Sequence, residues 1–158
     1  MKSVKTFIIC FVLFIAERVL FTHISVFSMT PWLLLAFWLD MALMSDEDEY
    51  IPLYAGICGL LCDISGGGYI GVNMAVFALI SLLVNYVSGI LRSGFFIGIS
   101  VCFFAFITAH ILCVLLSGVS ISAAFVSLIL PQAIINTVFA AILYPLVKRM
   151  YFYRRILI

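Results

Sequence analysis

Long apolar stretches, separated by short polar segments, make up most of the chain. A membrane-spanning helix needs about 20 apolar residues. Six of the stretches have about 15 residues or more. They cover about residues 6–21, 28–44, 50–64, 71–91, 94–116 and 121–147. The pattern predicts an all-α, polytopic membrane helix bundle with six transmembrane helices, built as a single integral-membrane domain over residues 1–158.

The second and third stretches are short, with about 17 and 15 residues. Helices of that length either thin the bilayer locally or form a hairpin that does not cross it completely. The alternative to six spans is therefore four spans with a partial hairpin. Because the two short stretches come as a pair, both alternatives give the same sidedness for the rest of the chain.

Composition supports a membrane protein. Of the 158 residues, 66% are hydrophobic and 9% are charged, and the mean hydropathy is +1.34. Soluble domains contain about 25% charged residues. The net charge of +1 and the lack of a groove rich in lysine and arginine give no reason to expect a nucleic-acid partner.

Basic residues are distributed unevenly between the two sides of the predicted bundle. In the six-span arrangement, seven of the eight lie on one side: Lys2, Lys5, Arg92, Lys148, Arg149, Arg154 and Arg155. Only Arg18 lies toward the other side. Since positive residues favour the cytoplasmic side, both termini are predicted to be cytoplasmic.

Few ionisable residues lie within the apolar stretches, and such residues usually face the interior of a bundle with a partner. Arg18 at the end of the first stretch and Asp63 at the end of the third come out at similar height near the outer surface. Asp40, in the second stretch, lies far below them. We therefore expect a possible intramembrane pair between Arg18 and Asp63.

No pattern of catalytic residues stands out. Ser65, Asp63 and His110 are the residue types of a hydrolase site, but the serine lies in DISGGG rather than in G-x-S-x-G. A phosphate-binding Gly-Lys-Ser/Thr loop is absent, and His23 with His110 is too small a set for a metal site. The five cysteines lie in apolar stretches as small hydrophobic residues. We expect no enzymatic activity, cofactor or metal.

The segment YAGICGLLCDISGGGYIGVNMAVFALISLLVNYV, Tyr54 to Val87, resembles the rod shape-determining MreD family. That family shows a glycine, then Gly-Leu-(Leu)-x-Asp, a short glycine-rich stretch, a further glycine and an apolar helix. The matching positions here are Gly56, Gly59, Leu60, Asp63 and Gly71. Length and apolar character are also similar over nearly the whole chain.

The resemblance implies a non-enzymatic scaffold of the bacterial inner membrane that works in cell-wall elongation and helps to maintain cell shape. Its direct partner would be MreC, a single-span protein with a periplasmic domain. The MreB filament, the RodA glycosyltransferase and a penicillin-binding transpeptidase would belong to the same complex. We expect the outer turn to form a partner surface, which comprises Ser65, Gly66, Gly67, Gly68 and Tyr69.

The MreD family is also similar in fold to the substrate-binding S-components of energy-coupling-factor transporters. The alternative function is therefore that of a small-molecule, vitamin-binding subunit. S-components typically carry alanines four residues apart in their first helix, which grip the energising subunit. The first stretch here, FIICFVLFIAERVLF, has no pair of small residues at that spacing, and this favours the scaffold.

Overall fold

The computed structural model describes residues 2–20, 31–44, 50–66, 69–90, 95–118 and 123–155. Within these ranges the regular structure is entirely helical, which confirms the all-α prediction. Six α-helices follow one another: α1 (Lys2–Ile15), α2 (Leu33–Met44), α3 (Ile51–Gly66), α4 (Val72–Ile90), α5 (Phe95–Ser117) and α6 (Ala123–Arg155). A π-helical turn, Ala16–Leu20, extends α1.

Two segments of the described chain are both long and apolar enough to cross a membrane, namely α5 and residues Leu128–Met150 of α6. Apolar helices of shorter length cover Leu33–Met44, Ile51–Gly66 and Val72–Ser88. The 12 residues of α2 are about 18 Å long at 1.5 Å per residue, against roughly 30 Å of hydrocarbon. The number of complete spans therefore stays a prediction.

The short helix α2 occupies the centre of the bundle. Ten of its 12 residues are buried, and it contacts each of the other five helices. A helix that is apolar on all sides has no face suited to water and is stable only when other elements surround it. The uniformly apolar sequence LLLAFWLDMALM thus explains why α2 lies inside, with Asp40 as its single ionisable residue.

Helices α3 and α4 form a hairpin with very close backbone contact. A Cβ atom placed on Gly59 would lie 2.5 Å from the carbonyl oxygen of Asn73 and 2.8 Å from the Cα of Met74. At Gly56 it would lie 3.3 Å from the Cβ of Ala78. Small residues at a helix interface allow such an approach, so the first two glycines of the Tyr54–Val87 segment are needed for packing.

Large apolar side chains cover much of the outside. Phe96 on α5 is 81% exposed and Tyr86 on α4 is 72% exposed, and further exposed apolar residues lie on every other helix except α2. Soluble monomers rarely expose large contiguous apolar patches. This surface is suited to contact with lipid chains.

Replacing Gly59 by alanine should destabilise the protein by about 1–3 kcal/mol, the range found when extra atoms are forced into a packed core. The new methyl group would collide with backbone atoms of α4, which cannot move without opening the hairpin. Thermal unfolding of the purified protein in detergent measures the effect.

Gly98→Ala is the matched control, because this helical glycine is also buried but its Cβ would meet Leu43 and Tyr144 at 3.6 and 3.8 Å, ordinary van der Waals distances. Gly98→Ala should leave the unfolding temperature unchanged or raise it. An equal loss of stability in both variants would contradict the role assigned to Gly59.

Candidate functional site

Asp63, at the end of α3, accepts hydrogen bonds from the beginning of α4. Its Oδ2 accepts from the backbone N–H groups of Gly71 (2.9 Å) and Met74 (3.1 Å). Its Oδ1 accepts from the backbone N–H (3.1 Å) and the side-chain amide (2.8 Å) of Asn73. The first N–H groups of a helix have no partner within the helix, and a negative charge at this end is favoured by the helix dipole. The buried carboxylate therefore caps α4.

Gly71 gives the chain the conformation that brings these N–H groups to Asp63. Its φ is +98°, in the left-handed region that residues with a Cβ rarely adopt. The remaining N–H groups of the first turn are also bonded, since Val72 donates to Tyr69 (3.4 Å) and Ala75 donates to Gly71 (3.0 Å). The start of α4 is thus fully hydrogen-bonded without water.

Arg18, in the π-helical turn, reaches the same end of α3. Its Nη2 donates to the carbonyl oxygen of Cys62 at 2.6 Å, and its guanidinium lies 3.3 Å from the position that a Cβ on Gly66 would take. A cation near the last carbonyl groups of a helix is favourable. The described hydrogen bonds run from Arg18 to the backbone of α3 and from α4 to Asp63, so a direct Arg18–Asp63 ion pair stays a prediction.

Glu17 is a second buried carboxylate that caps a helix. Its Oε2 accepts a hydrogen bond of 3.0 Å from the backbone N–H of Leu34, in the first turn of α2. The position of Glu17 near the end of the first apolar stretch does not by itself indicate this contact. The sequence does contain one indication of this contact. Pro31 marks the start of α2, whose first N–H groups need acceptors, and Glu17 is a carboxylate in the preceding apolar stretch.

The beginning of α2 also contacts α5 and α6. Asn136 is fully buried on α6, and its Oδ1 accepts a hydrogen bond of 2.9 Å from the backbone N–H of Trp32. The ring of His110 on α5 stacks on the Trp32 indole at a centroid distance of 4.3 Å. The Nδ1 of His110 lies 2.7 Å from the carbonyl oxygen of Phe106 and donates to it, because a carbonyl only accepts. His110 is therefore a packing residue that is hydrogen-bonded through Nδ1. His23 lies outside the described residues.

Asp40 differs from the other two buried carboxyl groups. It is 1% exposed, and the nearest donor to its Oδ1 is the Sγ of Cys102 on α5, at 3.9 Å. Its Oδ2 has no hydrogen-bond partner. Burial of a polar group without a partner costs about 2–7 kcal/mol, and burial of an isolated charge costs far more. The physical environment of Asp40 is thus opposite to that of Asp63.

A family model described as the rod shape-determining protein MreD matches residues 1–155, essentially the whole chain. The chain belongs to the MreD family. Its members are structural, shape-determining membrane proteins. No curated protein and no solved structure matches the chain significantly.

The five positions on which the predicted resemblance rests have different structural roles in this chain. Gly56 and Gly59 allow α3 and α4 to approach, Asp63 caps α4, and Gly71 supplies the left-handed turn. Leu60 is a half-buried residue of α3. Four of the five positions therefore maintain one hairpin.

The residues of a hypothetical hydrolase site are not assembled in this MreD chain. The hydroxyl of Ser65 donates to the carbonyl oxygen of Cys62 (3.1 Å), while Asp63 accepts from α4 and His110 donates to Phe106. Among the described residues, no group of three or more His, Cys, Asp or Glu side chains could hold a metal ion. The polar groups serve the fold instead.

The predicted partner surface of the MreD chain lies at the α3–α4 turn. Ser65 and Gly66 are exposed at the end of α3, and Tyr69 is 67% exposed just before α4. Gly67 and Gly68 lie outside the described residues. The surface is thus adjacent to the carboxylate that fixes the turn.

Asp63→Ala should lower the stability of the folded protein by at least about 2 kcal/mol. Loss of a helix cap alone costs about 0.5–2 kcal/mol, and here several buried N–H groups lose a charged acceptor. The amount of folded protein in the membrane, measured with a fluorescent fusion, reports the change. The control is Asp46→Ala, outside the described residues, and equal abundance of the two variants would contradict the prediction.

Proposed function

We propose that the chain is a non-enzymatic scaffold subunit of the bacterial cell-wall elongation complex, located in the inner membrane, where it binds MreC and helps to maintain rod shape. Membership of the MreD family is the observation that carries this proposal. The bonding of Asp63, Glu17 and Asn136 supports it, because their described hydrogen bonds join different helices of the bundle, while the Ser65 hydroxyl is bonded within its own helix. MreB, RodA and a penicillin-binding transpeptidase are the further members of the proposed complex.

We propose six membrane spans with both termini in the cytoplasm. The contact between Arg18 and Cys62 brings together the carboxyl ends of α1 and α3, so these helices run in the same direction. The contact between Asp63 and Gly71 makes α4 antiparallel to α3. Alternating directions of this kind support the six-span arrangement, and the charge distribution assigns the α3–α4 turn to the outer side.

The proposed surface for MreC is the outer turn, Ser65 to Tyr69 with Gly66, Gly67 and Gly68 between them. Tyr69 and the adjacent Ile70 are strongly exposed, by 67% and 77%. Aromatic residues are enriched in protein interfaces and at membrane–water boundaries. Directly after these side chains, the backbone N–H groups of Gly71 and Asn73 donate to Asp63, so the segment that follows Ile70 is already fixed before a partner binds.

A turn held in this way also offers a route for allosteric scaffolding. A partner that contacts Tyr69 touches a segment whose backbone is bonded to Asp63 of α3 and to the start of α4. The same end of α3 accepts a hydrogen bond from Arg18 of the first helix. Binding outside could thus bias the positions of three helices that extend toward the cytoplasm, provided that the six-span topology holds.

Site-specific photocrosslinking tests the partner surface. A photoreactive phenylalanine analogue at Tyr69 or Ser65 should give an adduct with MreC in cells that express both proteins. Tyr86 is the matched control, because it is a tyrosine on the same hairpin with similar exposure, 72%, near the other end of α4. The proposal fails if neither Tyr69 nor Ser65 gives an MreC adduct while Tyr86 does.

The alternative, vitamin binding, receives no support from the groove between α4 and α5. This groove has a volume of about 540 Å³ and is lined by apolar side chains together with Ser100 and Thr108. Both hydroxyl groups already donate to carbonyl oxygens of their own helix, those of Phe96 and Phe104. Small-molecule sites usually present several polar groups that converge on the ligand. A vitamin bound to the purified protein would favour the alternative.

A further inference from the structure

Three acidic side chains are buried in the described part of the chain, and they fall into two classes. Glu17 and Asp63 both accept hydrogen bonds from backbone N–H groups at the start of a helix. Asp40 has no such donor: its described polar contact is the 3.9 Å approach of the Cys102 thiol to Oδ1. The other oxygen, Oδ2, has no hydrogen-bond partner.

The described surroundings of Asp40 exclude water and supply no positive charge. The residue is 1% exposed and lies on the central helix α2, between α5 and α6. The titratable groups that face it are Cys102 on α5 and Tyr144 on α6. The Tyr144 ring and Leu43, one turn after Asp40, both lie within 4 Å of the position that a Cβ on Gly98 would take. No lysine or arginine of the described residues donates to this carboxyl group.

These surroundings determine whether the carboxyl group of Asp40 is ionised or neutral. An ionised carboxylate that lies in an apolar interior without a cation or several N–H donors is far less stable than the neutral acid. The contacts suit the neutral form, because Oδ1 can accept from the thiol while Oδ2 carries the proton. Asp63, which has four N–H contacts, is the opposite case within the same molecule.

We propose that Asp40 is a proton-binding site in the interior of the bundle. The ligand is the proton itself, held on the carboxyl group at the contact of α2 with α5. Release of this proton would place an unpaired charge at the centre of the packed helices and would force α2 away from α5 or admit water. The folded bundle thus retains the proton at neutral pH, and the inference does not depend on MreC binding.

Infrared spectroscopy of the purified full-length protein in D₂O at neutral pH tests this proposal directly. A protonated carboxylic acid has a carbonyl stretch above the amide I band, and a carboxylate has none there. Wild-type protein should show a band with the intensity of at least one acid. Asp40→Asn should lose the intensity of one acid while keeping the wild-type unfolding temperature, because asparagine imitates the neutral form.

Three further variants assign the acid band to Asp40 rather than to the other buried acids. Glu17→Gln and Asp63→Asn should leave the Asp40 band in place, whereas Asp40→Glu should retain an acid band at a shifted frequency. The glutamate variant provides the test if the asparagine variant does not fold. The proposal is overturned if the wild type has no acid band, or if the band is identical in wild type and in the folded Asp40 variants.

Discussion

The fold depends on buried side chains that accept hydrogen bonds from the first N–H groups of a helix. Water can fill this role at the surface of a soluble protein, but it is absent from the interior of a membrane bundle. Asp63 does so for α4, and Glu17 together with Asn136 does so for α2. Each acceptor belongs to a different helix from the one it caps. Every cap is therefore also a tertiary contact, and local and global structure form together.

This arrangement explains how a helix as short as α2 can occupy the centre. Its beginning lies among protein atoms, which is tolerated at membrane depth only where other elements bury and satisfy the backbone. Glu17 approaches from the end of α1, Asn136 from α6, and the His110 ring from α5 covers Trp32. The π-helical turn at Ala16–Leu20 contains both Glu17 and Arg18, so one local irregularity of the first helix contributes contacts to α2 and to α3.

The sequence allowed the helices, their order and the importance of the glycine-rich segment to be predicted, but not the atoms that Asp63 contacts. Hydropathy locates a carboxylate within an apolar helix and implies that it needs a partner. A guanidinium group and a set of backbone N–H groups are equally suitable partners for a carboxylate, and both lie near the end of α3. Arg18 reaches this end of α3, where its described acceptor is the carbonyl of Cys62, and the Arg18–Asp63 pair stays a prediction. Which of the two partners Asp63 contacts depends on the backbone conformation at Gly71, where α4 begins, and a hydropathy pattern does not predict that conformation.

The same hairpin unites the structural and the proposed functional roles of the family positions. Gly59 draws α4 against α3, Gly71 turns the chain, and Asp63 fixes the turn by accepting its N–H groups. None of these three residues has to contact a partner for a scaffold to depend on them, because they fix the helix start that directly follows the exposed Tyr69. A binding surface formed by a loop that is rigid before binding loses little conformational entropy on association.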